Sequence, residues 1–327
     1  MPGLPSRVRL LDSRPKIRPV WGVARGRRLR LATPALGSIL AALVWAATSQ
    51  ASPSERIVSL TPSITETLFA VGAGPEVVGV SQYCDYPPQV LSLPKVGSFL
   101  TPNLEAIVGL RPELIIGLET AANDREIRAL QGMGYRVSLV DDDSLAGIQE
   151  GIGKIGVLTG HTNQAQQLLN SMRRRMRAVR NRLQGVPARK VLMVVGHDPL
   201  VAVGVGYLNQ LLQMADCVNI GAGLDTQWPR LSLEYIIAAA PDVVLDGQMG
   251  TDPLTPSGFW SRYSSIPAVR NHRVFGYDQN PVLRPGPRAA QTLEILAALT
   301  HPEIFTSSVK RVVKPATTDA ASRGARP

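Results

Sequence analysis

Apolar residues along this chain fall into two alternating rhythms. Short β-branched runs read as strands: Arg56–Leu60, Val77–Val80, Leu114–Gly117 and Arg136–Val140 in the first half. Between them, three- and four-residue spacing predicts helices over Ser63–Val71, Asn103–Leu110, Asn123–Met133 and Ser144–Leu158. A long helical stretch follows, from a Thr162 cap through Asn163–Leu183, ending at Gly185 and Pro187. Its stripe is Leu168, Leu169, Met172, Met176, Val179 and Leu183, and its rod is ~30 Å long at ~1.5 Å per residue. The alternation then restarts, with strands at Lys190–Val195, Val243–Asp246 and Arg273–Phe275. The matching helices are Tyr207–Ala215, Leu233–Ala240 and Pro287–Leu299. Strands that alternate with helices imply a largely parallel sheet covered on both faces. The fold class expected is α/β: two Rossmann-like lobes with central, mostly parallel sheets, bridged by a single long α-helix. The boundaries expected are 52–160 for the first lobe, 161–186 for the bridge and 187–308 for the second lobe.

An internal repeat supports the two-lobe reading. Asn103–Ile116 lies on Ser232–Leu245 at a constant offset of 129 residues, matching Leu104/Leu233, Glu105/Glu234, Ile107/Ile236 and Pro112/Pro241. Asn103 and Ser232 suit helix caps, and each Glu suits the positive helix start. Equivalent acids on equivalent lobes form matching surfaces for a two-fold partner.

Charge changes the picture at the ends. The chain has 327 residues and a formal charge of +10. Residues 1–51 hold nine Lys/Arg against Asp12 alone, and residues 310–327 hold five against Asp319. The body is left with 21 bases and 23 acids, so a nucleic-acid binder that must neutralise phosphates is disfavoured. The basic flank ending at Arg30, the apolar run Ala35–Ala47 and the small residues Ser49 and Ala51 predict a signal peptide over 1–51, and hence a periplasmic protein. Residues 309–327 read as a disordered tail. The arginines crowding Arg173–Arg182 read as a solvated helix face favoured by the dipole.

Little in the sequence suggests catalysis. The four His are His161, His197, His272 and His301, and none pairs at metal-ligand spacing. Gly151–Gly156 matches GxGxxG but lies inside a helical pattern, the wrong context for a dinucleotide. Asp141–Asp143 reads as a solvated turn at a helix start. No cofactor is expected. Cys84 and Cys217 fall in opposite lobes, where a bridge would lock the molecule, so both are expected as thiols. The aromatics Tyr83, Tyr86, Phe99 and Trp228 fall in loops, with Phe259, Trp260 and Tyr263 further along. Loop aromatics at the edge of α/β sheets suit a large, flat, partly apolar ligand.

Several segments together resemble the periplasmic cobalamin-binding proteins of ABC importers: Arg56-Ile-Val-Ser-Leu-Thr-Pro-Ser-Ile-Thr-Glu66, Val78–Pro88, Asn103-Leu-Glu105, Trp228–Glu234 and Arg284-Pro-Gly-Pro-Arg288. The likeness runs from about Arg56 to Thr300. It implies a non-enzymatic protein that takes cobalamin or a related corrinoid between its lobes. The resemblance also implies that Glu105 and Glu234 dock on a permease dimer served by ATPase subunits. Tyr83 and Trp228 match ligand-contact positions, Phe99 stands where a Trp is common, and Leu118 where another aromatic can stand. Arg284 matches a cleft arginine, with Asp278 or Asn280 as its acid-position neighbour. The wider superfamily also carries haem and siderophores, for which Tyr83 or His197 is the candidate iron ligand. A chelatase-like enzyme on such lobes would need a clustered His/carboxylate site, which is lacking here.

Overall fold

The first sheet is built from β1 (Ile57–Ser59), β2 (Val77–Val80), β3 (Leu114–Leu118) and β4 (Val137–Val140), in the order β2-β1-β3-β4. All its neighbours run parallel, with Ile57 opposite Leu114 and Ile115 opposite Val137. Its helices are α1 (Pro62–Val71), α2 (Leu104–Gly109), α3 (Asp124–Gly132) and α4 (Leu145–Leu158). This computed structural model describes residues 55–118, 120, 122–247 and 256–305, without the side chains of 256 and 257. The expected signal peptide and C-terminal tail lie outside the described residues.

The long helix α5 (Thr162–Leu183) leads into the second sheet. That sheet comprises β5 (Arg189–His197), β6 (Leu200–Ala202), β7 (Cys217–Asn219), β8 (Val243–Asp246) and β9 (Val274–Gly276). β5 pairs with β7 through its first residues and with β6 through its last, and with β8 on its other side. The parallel strands β7-β5-β8-β9 therefore repeat the topology of the first sheet, and β6 is an antiparallel addition. The accompanying helices are α6 (Tyr207–Met214), α7 (Leu233–Ala239), α8 (Pro256–Trp260), α9 (Pro267–Arg270), α10 (Gln279–Val282) and α11 (Ala289–Thr300).

The repeat extends to backbone detail. α2 and α7 are capped by Asn103 and Ser232, whose side chains accept from Ala106 N and Tyr235 N. Pro112 and Pro241 disfavour a helical residue before them. The chain leaves each helix through a left-handed residue, Arg111 at φ 47° and Ala240 at φ 48°.

Strand side chains alternate between two layers, as a period of two requires. Ile57, Leu114, Ile116, Val191, Met193 and Leu245 point into one shared core. The same core takes Leu169, Met172, Met176, Val179 and Leu183 from α5 and Leu293 and Leu296 from α11. The opposite faces carry separate clusters: Val58, Ile107, Ile115 and Leu130 in the first lobe, and Leu192, Val194, Ile236, Val244 and Trp260 in the second. Each buried α5 side chain contributes ~1.5–3 kcal/mol, so the bridge is packed into both lobes and cannot act as a free hinge.

Three expectations change here. Thr162 is the first helical residue and not the cap. Its hydroxyl reaches back to Gly156 O across the tight turn from α4, and His161 precedes the helix without a side-chain cap bond. The α5 arginines are not all free: Arg175 forks onto Glu294 at 2.8 and 2.7 Å, and Arg182 donates to Ile304 O while stacking on Phe305. Both tie α5 to the C-terminal part of the second lobe. The Asp141–Asp143 turn is not fully solvated, because Asp142 is half-buried and accepts from Ser63 Oγ at 3.3 Å. The GxGxxG residues lie within α4, where a Cβ on Gly156 would stand 2.4 Å from the Ala165 Cβ.

Candidate functional site

The loop after β2 presents the first-lobe candidates. It is pinned from within: Lys95 Nζ donates to Cys84 O and Val90 O, and Gln82 N donates to Gly97 O. Gly97 is required by its φ of 89°, and a Cβ there would meet Asn103 N at 2.8 Å. Cys84 is turned inward against Thr65 Oγ1 at 3.2 Å. What remains outward is Tyr83, 51% exposed, Asp85 and Tyr86. The Tyr83 ring meets Phe99 edge-on, with centroids 6.2 Å apart.

The second lobe answers with the segment from α10 to α11. Arg284 donates to both carboxylate oxygens of Asp85, to Glu66 Oε1 at 3.3 Å and to Tyr83 O at 3.3 Å. Arg288 grips the other side of Glu66, with Nε 2.7 Å from Oε2, and stacks over Tyr86 at 4.7 Å. Asn280 Nδ2 donates to Asp85 Oδ2 at 2.7 Å, and its Oδ1 accepts from Arg288 at 3.1 Å. The Glu66 side chain is 2% exposed; two guanidiniums beside it supply the pairing that a buried charge needs. The hydrogen-bonded Arg284 guanidinium holds the Asp85 carboxyl below the usual range.

The expected ligand positions thus divide in four. Tyr83, Phe99 and Arg284 come together at the lobe junction. Asp278 stands beside them but uses its side chain to cap α10, accepting from Asn280 N at 3.0 Å; it is Asn280 that enters the network. Trp228, 41% exposed, stands on a separate second-lobe loop held by Ala202 N to Pro229 O and Gly204 N to Gln227 O. Leu118, at the end of β3, packs against the shared core.

The other aromatics singled out in the second lobe, Phe259, Trp260 and Tyr263, gather around a local core and do not line the junction. Trp260 is fully buried and donates to Asp246 Oδ2 at 2.7 Å, with Phe259 and Tyr263 around it. His197 Nε2 sits 2.8 and 2.9 Å from the same carboxylate and stacks on Phe259, so that nitrogen is occupied. Both cysteines are free and buried, and burial pushes the Cys217 thiol up to about 12. Sequence reasoning missed Asp85 and Glu66 as partners of Arg284 and Arg288. Helical periodicity gave no signal for Glu66: it stands two residues from both Ile64 and Leu68, on the far side of α1 from them, and is buried there as well.

Glu105 and Glu234 occupy the first turns of α2 and α7, both exposed and without a basic partner among the described residues. Hydrogen bonds from its own backbone N–H and from Ser232 hold the Glu234 carboxyl below its usual range.

Two parallel α/β lobes on one packed helix, with aromatics displayed where they meet, define a two-lobe binding protein. The chain belongs to the periplasmic binding protein family, whose pattern matches residues 57–281. A vitamin B12-binding protein of Vibrio cholerae is 27% identical over 244 residues, covering 74% of this chain and 87% of that protein. An ABC transporter substrate-binding lipoprotein of Bacillus subtilis, YvrC, is 31% identical over 261 residues, covering 77% and 81%. Among solved structures, the periplasmic vitamin B12 binding protein BtuF of Vibrio cholerae superposes with a TM-score of 0.68 at 25% identity, covering 78% of this chain and 98% of that one. The periplasmic haem-binding protein RhuT of Roseiflexus gives 0.69 at 28%, covering 77% and 99%.

Proposed function

We propose that this chain is the extracytoplasmic capture subunit of an ABC importer. It takes cobalamin or a related corrinoid between its lobes and delivers it to a permease dimer served by ATPase subunits. In this reading residues 1–51 direct export to the periplasm, and 52–160, 161–186 and 187–308 are lobe, bridge and lobe. Tyr83, Phe99, Trp228, Arg284 and Asp278 form the ligand site, the last by setting Asn280. Glu105 and Glu234 dock on the permease. The observation that carries the reading is the exposed Tyr83 ring, packed edge-on against a half-buried Phe99, beside a charge-balanced network at the junction, in a chain matched over most of its length by vitamin B12-binding relatives. The aromatic faces cover the apolar corrin and polar groups meet its amide rim.

The likeness to RhuT favours haem as the second reading, with the exposed Tyr83 phenol as the iron ligand. His197 is a poor ligand there, because its Nε2 is spent on Asp246.

Tyr83→Ala and Trp228→Ala each remove ~1.5–3 kcal/mol of apolar burial, so each is expected to weaken cyanocobalamin binding by about 10- to 100-fold in titrations of the folded protein. Unchanged affinity in both variants would remove these residues from the site.

A further inference from the structure

The junction network contains two acids and two bases, and the acids are unequal. Glu66 is 2% exposed and forked by Arg288, so nothing from solvent can replace it. The Asp85 side chain is 44% exposed, at the open end of the network. Arg284 spends Nη1 on Asp85 and Glu66 and Nη2 on Asp85 and Tyr83 O. Asn280 donates its amide N–H to Asp85, and its amide oxygen accepts from Arg288. The charges of Glu66, Asp85, Arg284 and Arg288 cancel. A ligand arriving against the exposed Tyr83 ring therefore meets an arginine already neutralised by an acid of this chain. The accessible member of the pair is the carboxylate.

We propose that Asp85 is a specificity-determining residue: by saturating Arg284 and Asn280 it reserves the junction for ligands with a neutral amide or hydroxyl rim and rejects those that present carboxylates. This rests on the ligand reading given above. A ligand carboxylate can reach Arg284 only by displacing Asp85, which leaves a like charge within contact distance. An amide rim avoids that displacement, because its N–H groups can donate to the exposed Asp85 carboxylate, or to the amide oxygen that Asp85→Asn leaves in its place. Removing the Asp85 charge leaves the network with one uncompensated cation beside Tyr83, which makes a carboxylate site.

The test titrates wild type and Asp85→Asn with two corrinoids that differ in the rim, dicyanocobinamide with amides and dicyanocobyrinic acid with carboxylates, and with haem, whose propionates are carboxylates. Wild type is expected to prefer the amide corrinoid. In the variant, binding of the carboxylate corrinoid and of haem should strengthen by about tenfold or more, while the amide corrinoid stays within about threefold. The double variant Asp85→Asn with Arg284→Gln should lose that gain, because the freed guanidinium supplies it. Melting curves show whether each variant folds, and Asp85→Ser is the substitute if Asp85→Asn does not. No strengthening for the carboxylate ligands, or equal change for all three, overturns the proposal. If wild type binds no corrinoid, the cobalamin reading fails on its own; a rise in haem affinity with Asp85→Asn still supports the role of Asp85, and no rise ends it.

Discussion

Asp142 carries its cost in a single proton. It lies among Ser63, Thr67, Ile148 and Gly286, where the two lobes meet. Burial first, and then the neighbouring Asp143 charge, push its carboxyl from 3.8 up to about 7. The folded chain holds this proton over a range where the unfolded chain has released it. Stability from this residue is therefore full below about pH 4, falls as pH rises toward 7, and levels off above. Asp142→Asn keeps an acceptor for Ser63 and removes the titration. It is expected to be more stable than wild type by about 1–3 kcal/mol at pH 8, with the difference shrinking toward pH 4. Melting curves across that range decide it, and a constant difference would contradict the assignment.

Close approach of α4 and α5 is set by glycine, which gives the GxGxxG run a packing role. Gly156→Val would drive its side chain into Ala165 and spread the two helices, at a cost of about 1–3 kcal/mol or more. Gly153, in the same run, has open space around its Cβ position; Gly153→Ala is expected to stabilise by about 0.5–1 kcal/mol through helix propensity. Thermal unfolding of the pair separates packing from propensity: both variants moving the same way would sink the distinction. These elements also show what the sequence could reveal. The central strands were legible as apolar, β-branched runs buried on both faces, and the long helices because each exceeds one period and carries an apolar stripe. α9 and α10 have four residues each, about one turn, too short for a helical period to register, and the three-residue strands β6 and β7 were not read. Tyr83 and Trp228 stood out as aromatics in loops. The pairing of Glu66 and Asp85 with Arg284 and Arg288 joins residues about 200 positions apart, and no local pattern encodes it.

At the scale of the molecule, one helix–turn–strand unit is used twice, and each copy sets an exposed glutamate, without a basic partner among the described residues, on the first turn of a short capped helix. A two-fold permease would meet the same acid on both lobes. Glu105→Ala combined with Glu234→Ala is expected to leave ligand affinity unchanged and to abolish uptake in a transport assay, since neither residue touches the junction. Loss of ligand affinity in that double variant would count against docking. The α5 core shared by both lobes predicts small closure on binding, in contrast to binders hinged on extended strands.

The most direct test is calorimetric titration of residues 52–327 with cyanocobalamin, with haem in parallel. Saturable one-to-one binding of cyanocobalamin, and none of haem, is the result predicted. Binding of haem alone would contradict the ligand assignment while leaving the two-lobe carrier in place.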